Sequence, residues 1–442
     1  MSFIKPFHGI RFNPKKVQEL GDVLALPYDC IDDDEQDEFY RRHEYNVVRL
    51  IRNKISPLDS GTDNQYTRAS MDFNHWLDSG VLVTDPEPAL YYYRLGYKLP
   101  SGQSRLRKGF FSLMRLSDYE TGRVLPHEHY TKGPIRDRQR LMQATGANLS
   151  PIFCTYSDPD RNVLSLMAGA LPADPIIKTG SPDGTEHTIW RITDEAVLRA
   201  ISEAMEDRKV MIADGHHRYE AALRFRDSAR RQIPDANPES PFEYILTYFS
   251  PMEDDGITVL PSHRAIRNIE NLTNDQFLMQ LSKSFYIKEI DIDPDDRAGS
   301  IADALEEADS GNERDQSFVM GLAGADCLFL LTFKRDAAKQ VFEEDVPDPV
   351  RELDVAILQQ IIIEQILGIE QQHSILDMEQ IVYFTDAQEL FSHLEKGAKV
   401  VFLLNPTRME TLWTLAQAGE LLPSKSTYFY PKVLAGFLFH RF

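Results

Sequence analysis

Cysteine is scarce in this chain. Cys30, Cys154 and Cys327 are its only three, far apart and without CxxC spacing, which argues against a disulfide framework or a cysteine-rich zinc site. Basic charge is in deficit too: 48 lysines and arginines against 69 aspartates and glutamates leave a formal net charge of −21. Nucleic acid and anionic membrane surfaces call for a basic face, so neither is expected as a partner. A small anion needs only a few local cations. Long apolar runs are also missing. No window approaches the roughly 18 apolar residues of a membrane span, and the opening MSFIKPFHGIRF has no signal-peptide core. The expectation is a cytoplasmic protein whose oligomeric state the sequence leaves open.

What is present is a mixture of strand and helix patterns. VLALPYDCI reads as a strand running into a turn at Pro27, and EYNVVRLI as a second strand. YTRASMDFNHWLDSG has helical spacing and stops at Gly80. ALYYYRLGYKL and KGFFSLMRLSDY read as hairpin strands around a polar turn. DRQRLMQATG, DEAVLRAISEAMED and HRYEAALRFRDSARRQ read as helices; SPIFCTY, KVMIAD and EYILTYFSPM as strands, the last apolar enough to be central. From about residue 270 the pattern changes: a helix at NLTNDQFLMQLSKSF, a strand at CLFLLTFK, a buried-type helix at VAILQQIIIEQILG, and strands around IVYFT and KVVFLL. The acidic VFEEDVPDPVRELD reads as a hinge. These patterns predict an α+β protein: a mixed-sheet catalytic or phosphate-binding region over 1–268 and a smaller α/β C-terminal subdomain over 269–442.

The chemistry concentrates in VMIADGHHRYEAALRFRD, where Asp214, His216, His217 and Arg218 stand between an apolar run and a helix. Gly215 permits a sharp turn and a close backbone approach to a ligand. The residues after it lie at a helix N-terminus, which favours an anion, and His216, His217 and Arg218 add donors suited to phosphate. A carboxylate repels phosphate unless it holds a metal ion or takes a proton, so Asp214 is a candidate base or metal ligand. The bland alternative makes Asp214 an N-cap and leaves the histidines solvated. A second cluster is RVLPHEHYTKGPIRDRQRLM. Alternation places His127 and His129 on one side of an extended segment and Glu128 on the other. Thr131, Lys132, Arg136 and Arg138 add a hydroxyl and cations, although Arg136 and Asp137 also suit surface ion pairs.

Weaker signals are Ser262, His263 and Arg264, read as a polar cluster just after a strand, and Tyr28 and Asp29 in a turn. GELLPSKST places Gly419, Lys425 and Ser426 as a P-loop would. Ser424 stands where the second glycine belongs, however, and the segment follows a helical pattern. Lys425 and Lys432 remain cations within reach of an anionic ligand.

The order PYDCI, YNVVRL, KGFF, VLPHEHYTK, DRQRLM, ANLSPIF, IADGHHRYEAAL, ILTYF, VLPSHR, PSKSTYFYPK resembles, over nearly the whole chain, the bacterial domain-of-unknown-function family 1015. The Asp-Gly-His-His-Arg string at 214–218 is similar to the signature of free-serine kinases in the ParB/sulfiredoxin-like superfamily. That resemblance implies a ParB/sulfiredoxin-like core with large insertions, a nucleotide (ADP or ATP) and Mg²⁺. It also implies phosphate binding and assistance to transfer by residues 214–218. Such kinases use a glutamate a few dozen residues before the motif. Glu186 and Glu195 lie there in unrelated-looking segments, and Glu128, further upstream, has the better surroundings.

The expectation is a phosphoryl-transfer enzyme acting on a small hydroxy amino acid, most simply serine to or from O-phosphoserine. Asp214, His216, Glu128 and His127 are the candidate catalytic groups, with Asp214 or Glu128 as the metal ligand. Gly215, His217, Arg218, His129, Thr131, Lys132, Arg138, Ser262, His263 and Arg264 are the candidate phosphate or substrate contacts. The alternatives are a phosphoserine phosphatase or nucleotide hydrolase using the same site, and a nucleotide-binding regulatory module without catalysis.

Overall fold

The computed structural model describes residues 2–129, 132–233, 235–267, 269, 272–293, 295–310, 316–334, 336, 342, 347–369 and 380–442, the side chains of Lys132 and Ser310 excepted. Its contacts form two compact units. Met1–Pro126, Tyr130–Thr258 and Pro431–Phe442 make the first; His127–His129 and Val259–Tyr430 make the second.

The first unit is built on a nine-stranded sheet: β1 (Ile4–Lys5), β2 (Leu90–Lys98), β3 (Ser104–Arg115), β4 (Val124–Leu125), β5 (Ile152–Tyr156), β6 (Ile177–Gly180), β7 (Glu186–Ile192), β8 (Val210–Asp214) and β9 (Tyr244–Pro251). The order is β4-β8-β5-β9-β3-β2-β7-β6, with β1 on β3. β8 runs parallel to β4 and β9 parallel to β5, while the remaining pairs are antiparallel. This is a mixed sheet in an α+β protein, as the sequence patterns predict. Alternation explains the aromatic hairpin: Leu90 and Tyr92 enter one core with Phe110, Ile152 and Ile212, and the side chains between them turn to the opposite face. β9 lies inside the sheet and all of its residues are buried.

Helices α1 (Gln65–Asp78), α2 (Lys132–Thr145), α3 (Asn162–Gly169), α4 (Glu195–Met205) and α5 (His216–Gln232) belong to this unit. α1 begins with a capping box, the Asn64 side chain accepting from the Thr67 N–H and Thr67 returning a bond to the Asn64 backbone, which satisfies two otherwise orphaned donors. Ile135, Val163, Ile201 and Tyr219 carry α2 to α5 into the same core.

Two strands expected from the sequence are turns. EYNVVRLI forms a helical turn, Val48–Ile51. The Asn46 side chain accepts from the Val48 N–H at 2.9 Å and donates to the carbonyls of Asp22 and Leu24. That pinning overrides the strand preference of the valine pair. VLALPYDCI is broken in the same way. A 3₁₀ turn at Leu20–Val23 and another at Tyr28–Cys30, behind Pro27, leave a lone bridge from Ala25 to Ala435. Proline pre-sets the backbone for such a turn.

The second unit has a six-stranded, wholly antiparallel sheet: β10 (His263–Ile266), β11 (Phe285–Asp291), β12 (Ser317–Leu322), β13 (Cys327–Phe333), β14 (Ile381–Phe384) and β15 (Val400–Leu403). Its order is β11-β13-β12-β15-β10-β14. One face packs Ile266, Phe318 and Phe402 against a π-helical segment, Leu358–Ile366; the other packs Ala265, Val319 and Val401 with Leu390. Of the acidic hinge expected at VFEEDVPDPVRELD, residues 341 and 343–346 lie outside the described residues, and the remainder includes a short helix, Asp348–Arg351. Among the described residues no helix is long and apolar enough to cross a membrane.

Candidate functional site

β8 ends at Asp214. Gly215 turns the chain with φ 100°, in the left-handed region, and α5 starts at His216. An added Cβ at Gly215 would stand 3.0 Å from Arg218 Nε, Arg218 Nη2 and Ile152 Cγ2, so this position needs both the conformation and the space of glycine. The helix carries no side-chain cap, and its N-cap is Gly215. That corrects the reading of Asp214 as an N-cap. The positive end of the helix dipole lies at this turn.

The Asp214 carboxylate serves two cations. Oδ2 accepts from Arg218 Nη2, one helical turn on, and Oδ1 accepts from Lys432 Nζ. The side chains of Asp214, Arg218 and Lys432 are only 13 %, 8 % and 9 % exposed, so solvent screens these pairs weakly. Burial pushes the Asp214 carboxyl up, but Lys432 and Arg218 outweigh it and hold the group well below the usual carboxylate range. Burial lowers the Arg218 pKa, and the net direction is nevertheless upward because Asp214, Asp29, Tyr28 and Cys30 lie close to it. Arg218 Nη1 also donates to the Pro151 carbonyl.

A second guanidinium adjoins the first. Arg138 on α2 lies 3.7 Å over the Tyr28 ring, donates to the Ile51 carbonyl at 2.6 Å and pairs with Asp137. Arg138 and Arg218 line one cavity of ≈ 30 Å³ with Asn148 and Ser150, about the room of one water. The Tyr28 hydroxyl is buried without a hydrogen-bond partner among the described residues, and burial pushes its pKa up, against the pull of Arg138. Asp29 beside it is exposed. His216 is buried, and its charge also favours ionised Asp214.

The first unit therefore gathers Arg138, Asp214, Gly215, His216, His217 and Arg218 with the weaker sequence candidates Tyr28, Asp29 and Lys432. The sequence marked Lys432 as a cation able to reach an anionic ligand, and its pairing with Asp214 is what escaped sequence reading. Thr131 and the side chain of Lys132 lie outside the described residues.

His127, Glu128 and His129 belong to the second unit. There they run beside Leu422, which donates to the His127 carbonyl at 2.9 Å and accepts from the His129 N–H at 2.9 Å. His127 is 1 % exposed; its Nε2 is 2.8 Å from Thr427 Oγ1, and its ring meets Phe429 edge-on. Glu128 accepts from the Ser426 N–H at 3.3 Å, and Ser424 Oγ donates to the His129 carbonyl at 2.7 Å. The SKST stretch thus clasps the His-Glu-His segment. Gly419 ends the helix Met409–Ala418 ahead of it, so the strand–loop–helix setting of a P-loop is absent.

Ser262, His263 and Arg264 are also in the second unit. They follow a short strand, Thr258–Leu260, as expected, and His263 and Arg264 themselves form the start of β10. Alternation sends their side chains to opposite faces. The three are 7 %, 3 % and 0 % exposed.

Among the described residues no group of three or more His, Cys, Asp or Glu side chains could hold a metal ion. Asp214 suits Mg²⁺ poorly, since both of its oxygens already face cations.

A mixed-sheet α+β protein with a buried Asp–Arg–Lys cluster at a strand-to-helix turn is the class that fold and geometry define. The chain belongs to the family described as Protein of unknown function (DUF1015), whose model matches residues 4–356. No curated protein matches it. Among solved structures it is similar to a conserved hypothetical protein from Pyrococcus furiosus, at 14% identity over 74% of this chain and 94% of that one, with a TM-score of 0.35. It is similar to a mutant free serine kinase in complex with ADP, at 14% identity over 72% of this chain and 87% of that one, TM-score 0.34. A third is SbnI with a C-terminal truncation, from Staphylococcus aureus, at 8% identity over 74% and 86%, TM-score 0.35.

Proposed function

We propose that the chain is a phosphoryl-transfer enzyme for a small hydroxy amino acid, most simply a nucleotide-dependent free-serine kinase working between serine and O-phosphoserine. The observation that carries the reading is the uncapped start of α5 above the Asp214–Arg218–Lys432 cluster. Two cations and one anion leave a positive surplus at a turn where the positive end of the helix dipole also favours an anion. Phosphoryl transfer asks the protein mainly to position groups and offset charge.

In this reading the amides at the start of α5, with His217 and Arg218, hold phosphate. Asp214 fixes the two cations and remains ionised, which makes it a positioning residue rather than a base. Asp29, exposed and close to Arg218, is the carboxylate in the first unit best placed to take the proton of the attacking hydroxyl. His216 shapes the same turn. The second unit's Glu128, already accepting from Ser426, has no assigned step. Nor has Mg²⁺, because the donor set does not fit it. The nucleotide and the serine class come from the resemblance of the Asp-Gly-His-His-Arg string.

Phosphorus NMR of the full chain with ATP or ADP, with and without serine, tests this. O-phosphoserine formed only with serine supports the kinase. Phosphate released equally without serine makes the protein a hydrolase, and nucleotide binding without turnover makes it a regulatory module. Asp29→Asn should lower turnover by about 10²-fold or more, the scale of a lost general base, while leaving nucleotide binding unchanged. Full activity in that variant removes Asp29 from the mechanism.

A further inference from the structure

Arg264 is a fully buried cation on β10 of the second unit. Its cross-strand neighbours are Phe402 on β15 and Tyr383 on β14. The face it shares with Ile266 and Phe402 packs against the apolar residues of the π-helical segment. Nη1 donates to Gln359 Oε1 at 2.8 Å, and the Gln359 amide donates in turn to Glu364 at 3.0 Å. No carboxylate among the described residues lies within ion-pair distance of the guanidinium. Nε and Nη2 are buried and have no hydrogen-bond partner among the described residues. Those two atoms form one edge of the guanidinium, the fork that grips two oxygens side by side. Buried donors are rarely left unmet in a native protein, and a buried charge is normally paired.

We infer that the second unit holds a site for a small oxyanion, with the Nε/Nη2 edge of Arg264 as its bidentate clamp. Gln359 fixes the other edge of the guanidinium and keeps it from turning. Tyr383, on the edge strand and 37% exposed, is the solvent-facing neighbour past whose ring an anion reaches the fork. The ligand class is a carboxylate or phosphate small enough to enter an apolar sheet face. The site involves no residue of the 214–218 cluster, so it stands or falls independently of the kinase reading.

The test titrates the full chain with acetate, phosphate and chloride at matched ionic strength. The Nε–H resonance of Arg264 is followed by nitrogen-15 NMR, and heats of binding by calorimetry. A saturable shift with acetate or phosphate but not chloride is expected, and the stronger of the two names the ligand class. Arg264→Lys keeps the charge and loses the fork, so it should weaken binding at least tenfold, and Arg264→Met should abolish it. An Arg264 Nε–H response linear in salt and equal for chloride overturns the site, as does an oxyanion-binding heat undiminished in Arg264→Met.

Discussion

Asp214–Arg218 and Ser262–Arg264 look alike in the sequence, each a short polar cluster containing histidine and arginine beside an apolar run. Their environments differ in kind. In the first, the strand ends, glycine reverses the chain and the arginine folds back one helical turn onto a carboxylate that Lys432 also holds. In the second, two polar residues continue a strand, and alternation sends His263 and Arg264 to opposite apolar faces. Burial alone therefore does not distinguish a stable polar site from an unsatisfied one. What separates them is the counter-ion: Arg218 touches one, while Arg264 has an amide on one edge, the Tyr383 ring 5.6 Å away, and no carboxylate among the described residues within ion-pair distance.

Removing the counter-ion from the first cluster should make the two alike, with the largest effect. Asp214→Asn keeps the shape but leaves Arg218 and Lys432 buried without the carboxylate that both of them contact. A loss of about 3–5 kcal/mol in urea unfolding is expected, the usual range for breaking a buried pair by deleting one partner. Adding Lys432→Met should restore part of it. A cost below about 1 kcal/mol would show that the cluster is better hydrated than its burial implies.

The second cluster should show its character in acid. His263 Nδ1 accepts from the Leu404 N–H at 3.1 Å, and burial lowers the His263 pKa to about 4. A base whose pKa is depressed on folding resists protonation in the native state. Its contribution is full above the unfolded value near 6.5 and is lost as pH falls towards 4. At about 1.4 kcal/mol per unit this amounts to about 3 kcal/mol. His263→Gln keeps an acceptor but takes no proton. Stability curves of the two proteins should therefore converge between pH 6.5 and 4, and parallel curves would deny the role. Buried His187 and His440, both lowered to about 4 in the first unit, titrate in both proteins and cancel in the difference.

Periodicity made most of the sheet legible. Leu90–Lys98, Ser104–Arg115, Ile152–Tyr156, Val210–Asp214 and Tyr244–Pro251 all stand where alternation or an apolar run placed a strand. It misled at Val48–Ile51, where the Asn46 side chain chose a helical turn, and at Pro27, where proline did. The Asp-Gly-His-His-Arg turn was legible because glycine, strand end and helix start are local signals. Lys432 and Tyr28 were not, because their meaning lies in long-range pairing with Asp214 and Arg138. The difference between Arg218 and Arg264 was illegible for the same reason: a counter-ion is a tertiary fact.

A smaller effect of opposite sign comes from making Arg264 apolar. Arg264→Met deletes a buried charge that Glu364 offsets only at a distance and fits an apolar face, so without added oxyanion it should be neutral or gain about 1–2 kcal/mol. Urea unfolding in chloride buffer measures it. A loss of several kcal/mol would mean that the Gln359–Glu364 chain already satisfies the cation, which would erase the contrast with Arg218.

The smallest effect separates the two clusters by backbone. Gly215→Ala puts a side chain into the left-handed region and brings its Cβ to 3.0 Å from the Arg218 guanidinium and from Ile152. Conformational strain alone is about 1 kcal/mol. The strand from His263 to Ile266 contains no left-handed residue, so it offers no site for the same penalty. Arg218 is tied to Asp214 and to the Pro151 carbonyl and gives way only by loosening one of these bonds. Phosphate binding at the turn should consequently weaken by more than the stability loss implies, on the order of tenfold. Paired measurements of melting temperature and phosphate affinity decide between crowding and strain. A variant that loses stability but binds phosphate normally would show that the Cβ is absorbed at Ile152 and that Arg218 is not held by the turn.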